Sequence, residues 1–222
     1  MSGETIRVPA VEGYALWAGH WDQTPSPIVA LEERLLALRL AGLRPRRAVD
    51  VGCGTGRWTQ RLGAVGVDAS PEMLAIAARK PGLRGRLAIG DVLAVPLATG
   101  CADLVLCALT LGHVRDHARA MRELGRILAP GGTLLLTDFH PSAAAQGWRR
   151  TFRHENSVYE LENHPYTVSQ LCEADAGLAL VDRVEAAIGE PEREVFDRAA
   201  RPDLFDAARR VPAVLVTWWT RV

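Results

Sequence analysis

The feature that most limits the fold of this chain is a short hydrophobic run that leads into three alternating glycines. Residues 48–51 read Ala-Val-Asp-Val, then Gly52, Gly54 and Gly56 follow, and a helix-like segment begins at Arg57. Glycine suits such a turn because it adopts left-handed backbone angles and lets another group approach the main chain closely. The start of the next helix also offers free N–H groups to an anion. The pattern predicts a strand, a turn and a helix beside a ligand, and an ordinary strand-to-helix turn is the alternative.

Strand-like and helix-like segments alternate through the middle of the chain. The strand patterns are rich in β-branched and aliphatic residues, and they lie at residues 47–51, 64–68, 86–89, 102–108 and 132–137. Helical patterns separate them, and two later strand patterns occupy residues 178–187 and 214–221. Such alternation is typical of a parallel sheet with helices packed on its faces. We therefore predict an α/β fold.

The size and charge of the chain indicate how many domains it has and which partners it can bind. Its 222 residues suit one domain. We expect a single domain over residues 1–222, with a helical cover at 1–42 and an insertion at 141–166 that lies on the substrate side. The 26 basic and 26 acidic residues give a net charge of zero. A neutral chain lacks the positive field that draws long nucleic acid, so we do not expect a nucleic acid partner.

Cysteine spacing and hydrophobic run length indicate the compartment. No pair among the four cysteines has the C-x-x-C spacing of a structural zinc site, so we predict no metal. The first residues lack the pattern of a signal peptide, and no run of 18 apolar residues occurs. We expect a cytoplasmic protein with no membrane partner.

Acidic residues follow two neighbouring predicted strands. Asp68 ends the strand at 64–68, and Asp91 follows the strand at 86–89. The carboxyl ends of parallel strands share one edge of the sheet, where open α/β folds bind ligands. Asp68 could accept both hydroxyls of a ribose, and Asp91 could accept from a purine amine. Each carboxylate alone is more often a helix cap or a solvated loop residue, but together they predict a nucleotide site.

Two kinds of nucleotide cofactor fit a glycine-rich turn at this edge. The NAD fingerprint G-x-G-x-x-G requires a third glycine where this chain has Arg57. Four motifs instead carry a different pattern: VDVGCGTGRW (49–58), GVDASPEML (66–74), GDVLAVPLATGCADLVLCALTLGHV (90–114) and RELGRILAPGGTLLLTDFHP (122–141). In these motifs the chain resembles the class I S-adenosylmethionine-dependent methyltransferases, particularly small-molecule enzymes related to the ubiquinone and menaquinone methyltransferases.

The resemblance covers residues 46–141 well, 14–22 fairly, and the remainder only in general layout. It implies a doubly wound, Rossmann-like sheet of seven strands that is mostly parallel and has an antiparallel last strand. It also implies S-adenosyl-L-methionine as the cofactor. The family usually has a Tyr-Asp pair where this chain has Trp21-Asp22.

The resemblance further implies which residues contact the cofactor. Asp68 would hold the ribose diol, Asp91 would accept from the adenine amine, and Leu109 would lie near the sulfonium. The full set of expected cofactor contacts is Asp50, Gly52, Gly54, Gly56, Asp68, Ala69, Met73, Asp91, Val92, Leu109 and Trp21.

The catalytic and substrate residues are harder to identify from the sequence. A general base is needed only when the methyl acceptor is protonated, as a phenol or an ammonium is. His113 and His140 follow two predicted strands and are the candidates, each with a structural role as the alternative. The candidate substrate residues are aromatic or basic and lie in the cover and the insertion: Tyr14, Trp17, His20, Trp148, Arg149 and Tyr159. The cover is either a permanently docked helix or a lid over the site.

These observations predict an S-adenosylmethionine-dependent methyltransferase. It would transfer a methyl group to an O, N or C nucleophile of a small molecule by in-line displacement. The alternatives are a methyltransferase that acts on a peptide, protein or RNA, and a nucleotide-cofactor-binding protein without transfer chemistry or a nicotinamide enzyme. The sequence does not identify the methyl acceptor or the oligomeric state.

Overall fold

The structure, a computed structural model that describes residues 5–222, contains the strands and helices that the sequence predicts. The strands are β1 (Thr5–Val8), β2 (Ala48–Val51), β3 (Val65–Asp68), β4 (Leu87–Ile89), β5 (Ala102–Ala108), β6 (Leu128–Phe139), β7 (Thr151–His154), β8 (Ser157–Leu161), β9 (Leu178–Ala187) and β10 (Pro212–Arg221). The α-helices are α1 (Ala10–Trp17), α2 (Pro27–Leu40), α3 (Arg57–Leu62), α4 (Pro71–Ala77), α5 (His117–Ile127), α6 (Pro141–Ala145), α7 (Val168–Cys172), α8 (Arg193–Arg198) and α9 (Phe205–Ala208).

Seven strands form the main sheet in the order β4-β3-β2-β5-β6-β10-β9. The pairs from β4 to β6 are all parallel, with Val49 opposite Val65 and Asp50 opposite Leu106. Strand β10 is antiparallel to both of its neighbours, with Val216 opposite Thr137. The prediction of a mostly parallel seven-stranded sheet with an antiparallel last strand is confirmed.

Helices cover both faces of this sheet, so its central strands are buried on both sides. In β5, Leu104 and Leu106 belong to one core cluster, whereas Val105 and Cys107 belong to the other. Successive side chains of a strand point to opposite faces, which explains why β5 is a continuous apolar run. Because both faces are covered, the edge formed by the strand ends is where the loops can build a site.

Serine side chains fix the starts of α2 and α4, two of the helices that begin with proline. Ser26 Oγ accepts a hydrogen bond from Val29 N at 3.3 Å, and Ser70 Oγ accepts one from Met73 N at 3.2 Å. Proline at the first helical position loses no hydrogen bond and already has the helical φ angle. The cap at Ser70 begins α4 directly after β3 and so fixes the main chain at Met73.

A separate three-stranded sheet joins the predicted cover to the predicted insertion. Its strand order is β1-β8-β7, with β1 from the cover and the other two strands from the insertion. Strand β1 runs parallel to β8, with Ile6 opposite Tyr159. The expectation of a purely helical cover at 1–42 therefore needs correction, because residues 5–8 form a strand; residues 1–4 lie outside the described part. The alternating sequence Thr-Ile-Arg-Val favours a strand, but its partner lies in the distant insertion.

The cover is anchored by aromatic packing as well. The ring of Trp17 stacks on Phe152 with 4.6 Å between ring centroids, and these two residues share a core cluster with Leu161.

None of the helices within residues 5–222 has the length and apolar character needed to cross a membrane.

Candidate functional site

A cavity of about 440 Å³ opens at the carboxyl edge of the parallel strands. The loops after β2, β3, β4 and β5 form its walls, and α1 and Trp21 lie across it. The sheet order places the ends of β4, β3, β2 and β5 side by side along this edge. Because neighbouring strands are about 4.8 Å apart, three strand spacings give a trough roughly 14 Å long. An extended nucleoside with a side chain fits such a length.

The glycine turn has the backbone angles that the sequence predicts. Gly52 and Gly54 line the cavity with φ angles of +73° and +54°. A Cβ atom at Gly52 would lie 2.1 Å from Thr110 Oγ1. Gly56, with φ of +80°, is not among the lining residues, and a Cβ there would lie 2.5 Å from Leu83 Cδ1. The space beneath the turn at Gly56 is therefore filled by Leu83, and the cofactor contact expected of Gly56 stays a prediction.

Asp68 ties the glycine turn to the end of β3. One carboxylate oxygen accepts a hydrogen bond from Gly54 N at 2.7 Å, and the other accepts one from Ser70 N at 2.8 Å. Burial raises the pKa of Asp68 above its ordinary value. Ala69 and Met73 line the cavity beside it. The carboxylate is thus held rigidly at the wall, where its remaining lone pairs can accept from a ligand.

Asp91 and Val92 line the cavity at the end of β4. Asp91 Oδ1 accepts a hydrogen bond from Leu93 N at 2.8 Å, and the residue is exposed. Val92 is buried in the core below. The sequence alternatives for Asp91 were a loop cap and a purine contact, and this geometry is compatible with both at once.

Asp50 lies at the cavity just before the glycine turn and is only 2% exposed. Its Oδ2 accepts a hydrogen bond from Thr59 Oγ1 at 2.7 Å. Burial raises the pKa of Asp50 to about 7. The carboxyl group therefore gains or loses a proton near neutral pH, and a cation placed beside it would favour the ionised form.

Leu109, after β5, lies in the left-handed backbone region with φ of +55°, which costs a residue with a side chain roughly 1–2 kcal/mol. Hydrogen bonds fix the peptide groups on both sides of Leu109. The N–H donates to Thr137 O at 2.9 Å, and the carbonyl oxygen accepts from Arg150 Nη1 at 2.7 Å. A strained residue at a cavity wall is typical of functional sites.

His113 is at the cavity, but its surroundings argue against the predicted role as a general base. Its Nδ1 lies 2.9 Å from the carbonyl oxygen of Glu162, which can only accept, so Nδ1 carries the proton. Its Nε2 lies 3.0 Å from Tyr14 Oη and 2.6 Å from Arg150 Nη1. Burial and the Arg150 cation lower the pKa of His113 to about 3. The imidazole is neutral, and its lone pair is already engaged.

Arg150 and Asp138 form a buried ion pair next to His113 that the sequence analysis missed. Arg150 Nη2 contacts Asp138 Oδ1, and the side chains are 13% and 1% exposed. Asp138 also accepts from Gly112 N and, at 3.3 Å, from Tyr166 Oη. The only sequence signal was an arginine among aromatic residues and an aspartate after a predicted strand. Their pairing links the insertion to the main sheet.

Trp21 and Asp22 connect the cover to the glycine turn. Trp21 lines the cavity, and its ring meets that of Tyr14 edge-on at 5.4 Å. Asp22 Oδ1 accepts a hydrogen bond from Thr55 Oγ1 at 2.6 Å, and its Oδ2 pairs with Lys80 Nζ at 2.7 Å. The aspartate of this Trp-Asp pair thus stabilises the turn, whereas the ring faces the cavity.

Besides Gly56, six predicted site residues do not line the cavity: His140, Trp17, His20, Trp148, Arg149 and Tyr159. His140 Nδ1 accepts a hydrogen bond from Ser142 N at 3.1 Å and caps α6, and its Nε2 lies 3.5 Å from Glu185. His140 follows Phe139, the last residue of β6, and these contacts give it a structural role, whereas its catalytic role stays a prediction.

The other five residues lie in packing or surface positions. Trp17 and Tyr159 stack on Phe152 inside the small sheet, and Trp148 packs near Phe139. His20 is exposed, and Arg149 donates to the carbonyl oxygens of Ala144 and Trp148. The aromatic and basic residues of the insertion were candidates for substrate contacts, but Tyr159 and Trp148 pack on other aromatic rings and Arg149 bonds the backbone of the insertion.

Comparisons with known proteins agree on the type of domain. Residues 49–136 match the family described as "Methyltransferase domain". A "Demethylmenaquinone methyltransferase" of Thermus thermophilus is 41% identical over 107 residues, which cover 44% of this chain and 49% of that protein. A "Malonyl-[acyl-carrier protein] O-methyltransferase" of Pectobacterium atrosepticum is 38% identical over 128 residues, or 53% and 49% of the two chains. The chain therefore spans about half the length of these curated relatives.

Solved structures are similar over more of the chain. The crystal structure of an S-adenosylmethionine-dependent methyltransferase from Mesorhizobium loti is similar with a TM-score of 0.64 and 25% sequence identity. The match covers 87% of this chain and 100% of that one. The structural match therefore extends well beyond residues 49–136, the segment that the family match covers.

Proposed function

We propose that the protein transfers the methyl group of S-adenosyl-L-methionine to a small-molecule acceptor, because residues 49–136 match the methyltransferase-domain family and 87% of the chain is similar in fold to an S-adenosylmethionine-dependent methyltransferase. The observation that carries the proposal is the row of polar groups along the sheet edge. Asp91, Asp68 and the turn at Gly52 and Gly54 follow one another across β4, β3 and β2, with Leu109 at the end of β5.

The residues at the cavity suit this cofactor. A ribose needs a fixed acceptor for two hydroxyls, and Asp68 is fixed by two backbone N–H groups. A close approach of the main chain needs glycine, and Gly52 and Gly54 have no side chain there to obstruct it. Asp91 would accept from the adenine amine beside the Val92 backbone, and Ala69 and Met73 would flank the adenine ring. Asp50, whose burial raises its pKa to about 7, would be ionised by a neighbouring ammonium group.

The chemistry of the reaction makes modest demands on the protein. The bound cofactor supplies a methyl carbon attached to a sulfonium sulfur. The chain's own residues align the acceptor with that carbon and exclude water. The rings of Tyr14 and Trp21 lie across the cavity and are suited to both tasks, since an aromatic face also attracts a cation. We propose that residues 1–222 act as one catalytic domain, in which α1 lies across the cavity and Arg150 of the insertion holds His113 and Leu109 at its wall.

Titration calorimetry and a transfer assay test the proposal together. We expect the protein to bind S-adenosylhomocysteine at a single site and to show no heat with NADH. We also expect labelled methyl groups to pass from S-adenosylmethionine to a small molecule. Binding of NADH without binding of S-adenosylhomocysteine would refute the proposal, because the turn would then belong to a nicotinamide site despite Arg57.

A further inference from the structure

Three polar side chains from separate parts of the chain meet at one side of the cavity. Tyr14 comes from α1, His113 from the loop after β5, and Arg150 from the insertion. Because His113 Nδ1 donates to the Glu162 carbonyl, Nε2 has a single lone pair. Two donors approach it, the Arg150 guanidinium at 2.6 Å and the Tyr14 hydroxyl at 3.0 Å. A single lone pair in the ring plane can accept a well-aligned hydrogen bond from only one of these two donors.

The guanidinium takes this lone pair. An arginine can only donate, whereas a hydroxyl can accept as well as donate. The contact of Arg150 is shorter and charge-assisted, which makes it the stronger of the two. The Arg150 cation also faces the Tyr14 hydroxyl oxygen, which favours a Tyr14 O–H bond directed away from the guanidinium. The Tyr14 proton is therefore left without a partner in this cluster, and Tyr14 lines the cavity.

We infer that the Tyr14 hydroxyl donates a hydrogen bond to the methyl acceptor and that this acceptor is a carboxylate. The inference deepens the proposed function and rests on it. A carboxylate has two oxygens, so one can accept from Tyr14 while the other attacks the methyl carbon. Arg115 lines the same cavity with a side chain that is 79% exposed, and its Nη2 lies 3.8 Å from Glu162 Oε2 in a long surface pair, so its charge also attracts an anion in the cavity.

The ionisable groups of the cavity fit an acceptor that needs no general base. Of the cavity residues that the structure describes, His113 is the single histidine, and its lone pair is occupied. Burial raises the pKa of the Cys53 thiol far above its ordinary value. Asp50 is 2% exposed and bonded to Thr59, on the strand that carries the glycine turn. The other carboxylates of the cavity already accept hydrogen bonds from backbone N–H groups, and they are Asp68, Asp91 and Asp116. A phenol or an ammonium would have to lose its proton to one of these engaged groups, whereas a carboxylate is already ionised at neutral pH.

The inferred step balances without a proton transfer. The carboxylate oxygen forms a bond to the methyl carbon with its own electron pair, while the bond between that carbon and sulfur breaks. The electron pair of the broken bond stays on sulfur. The negative carboxylate and the positive sulfonium become a neutral methyl ester and a neutral thioether.

A panel of matched acceptors tests the inference. Hexanoate, dodecanoate and benzoate would be compared with hexylamine, dodecylamine and phenol, using S-adenosylmethionine labelled in the methyl group. Methyl esters release labelled methanol in base, whereas methyl ethers and methylamines do not. We expect label in the base-labile product of at least one carboxylate. Thermal-shift measurements would also record binding of each carboxylate to the complex with S-adenosylhomocysteine, independently of turnover.

Tyr14→Phe is the decisive variant, and Tyr159→Phe is its matched control. The control removes a hydroxyl from the same aromatic cluster, at a residue that does not line the cavity. We expect Tyr14→Phe to lower kcat/KM for the carboxylate at least tenfold and to abolish its thermal shift, with the affinity for S-adenosylhomocysteine unchanged. Tyr159→Phe should behave like the original chain.

Three outcomes would overturn the inference. They are label found in amines or phenol alone, a cofactor-binding protein that esterifies none of the carboxylates, and a Tyr14→Phe variant with unchanged kcat/KM. Failure to bind S-adenosylhomocysteine at all would instead refute the proposed function, so the two failures can be told apart.

Discussion

Replacing Arg150 with methionine tests how strongly the insertion is coupled to the main sheet. The change keeps most of the aliphatic part of the side chain but removes the charge that faces Asp138. Asp138 is 1% exposed, so it would remain as a buried carboxylate without its cation. Breaking a buried pair by removing one partner costs about 3–5 kcal/mol. At ~2–4 °C per kcal/mol for a chain of this size, the melting temperature should fall by roughly 6–20 °C.

Arg149→Met is the matched control, because it makes the same substitution one residue earlier. Arg149 donates only to two carbonyl oxygens and lies 3.9 Å from Glu160, with 49% of its side chain exposed. Exposed pairs of this kind contribute about 0–1 kcal/mol. Urea unfolding of both variants, and of Asp138→Asn alone and combined with Arg150→Met, measures the coupling. If Arg150→Met cost no more than Arg149→Met, or if its effect added to that of Asp138→Asn, the buried pair would not stabilise the fold as we argue.

Three further predictions concern the cavity wall. Asp68→Ala should weaken binding of S-adenosylhomocysteine at least tenfold in calorimetry, since each hydrogen bond to a charged group contributes about 1.5–3 kcal/mol; unchanged affinity would place the ribose elsewhere. Gly54→Ala should weaken binding of S-adenosylhomocysteine more than it lowers stability, whereas Gly56→Ala should mainly lower stability because its Cβ would lie 2.5 Å from Leu83. The same balance between lost affinity and lost stability at both glycines would contradict this. Burial raises the pKa of Asp50 to about 7, so its folded form binds a proton that the unfolded form releases near pH 4. The original chain should therefore lose stability relative to Asp50→Asn as pH rises from about 4 to 7 in urea unfolding, and a constant difference would argue against the shift.

The sheet could be predicted from the sequence because its information is local. The strand pattern at 102–108 coincides with β5, and the helix pattern at 57–62 coincides with α3. Apolar periodicity, a serine cap or a glycine turn each act within a few residues, so one segment suffices to recognise them. Asp68 and Asp91 were also predictable, because the ends of parallel strands must share an edge.

The polar cluster at Tyr14 could not be predicted, because it depends on contacts between distant segments. Tyr14 and His113 are 99 residues apart, and His113 and Arg150 are 37 apart. A histidine in a loop after a strand resembles a catalytic base in sequence. Only the positions of Arg150 and the Glu162 carbonyl reveal that it is neutral and hydrogen-bonded on both sides. The role of His113 was set by its neighbours and not by its own position in the chain.

The same long-range contacts decide how the cover can behave. The sequence left a lid and a permanently docked helix as alternatives. Movement of the cover alone would separate β1 from β8 and the ring of Trp17 from that of Phe152. The backbone hydrogen bonds between the two strands and the stacking of the two rings would both have to be lost. The cover and the insertion are therefore one structural unit, and any opening of the cavity has to move both. Since Arg150 bonds the backbone at Leu109, such a movement would also release the strained residue that lies at the end of β5. Closure of the cavity and the alignment of its wall are thus linked through a single side chain.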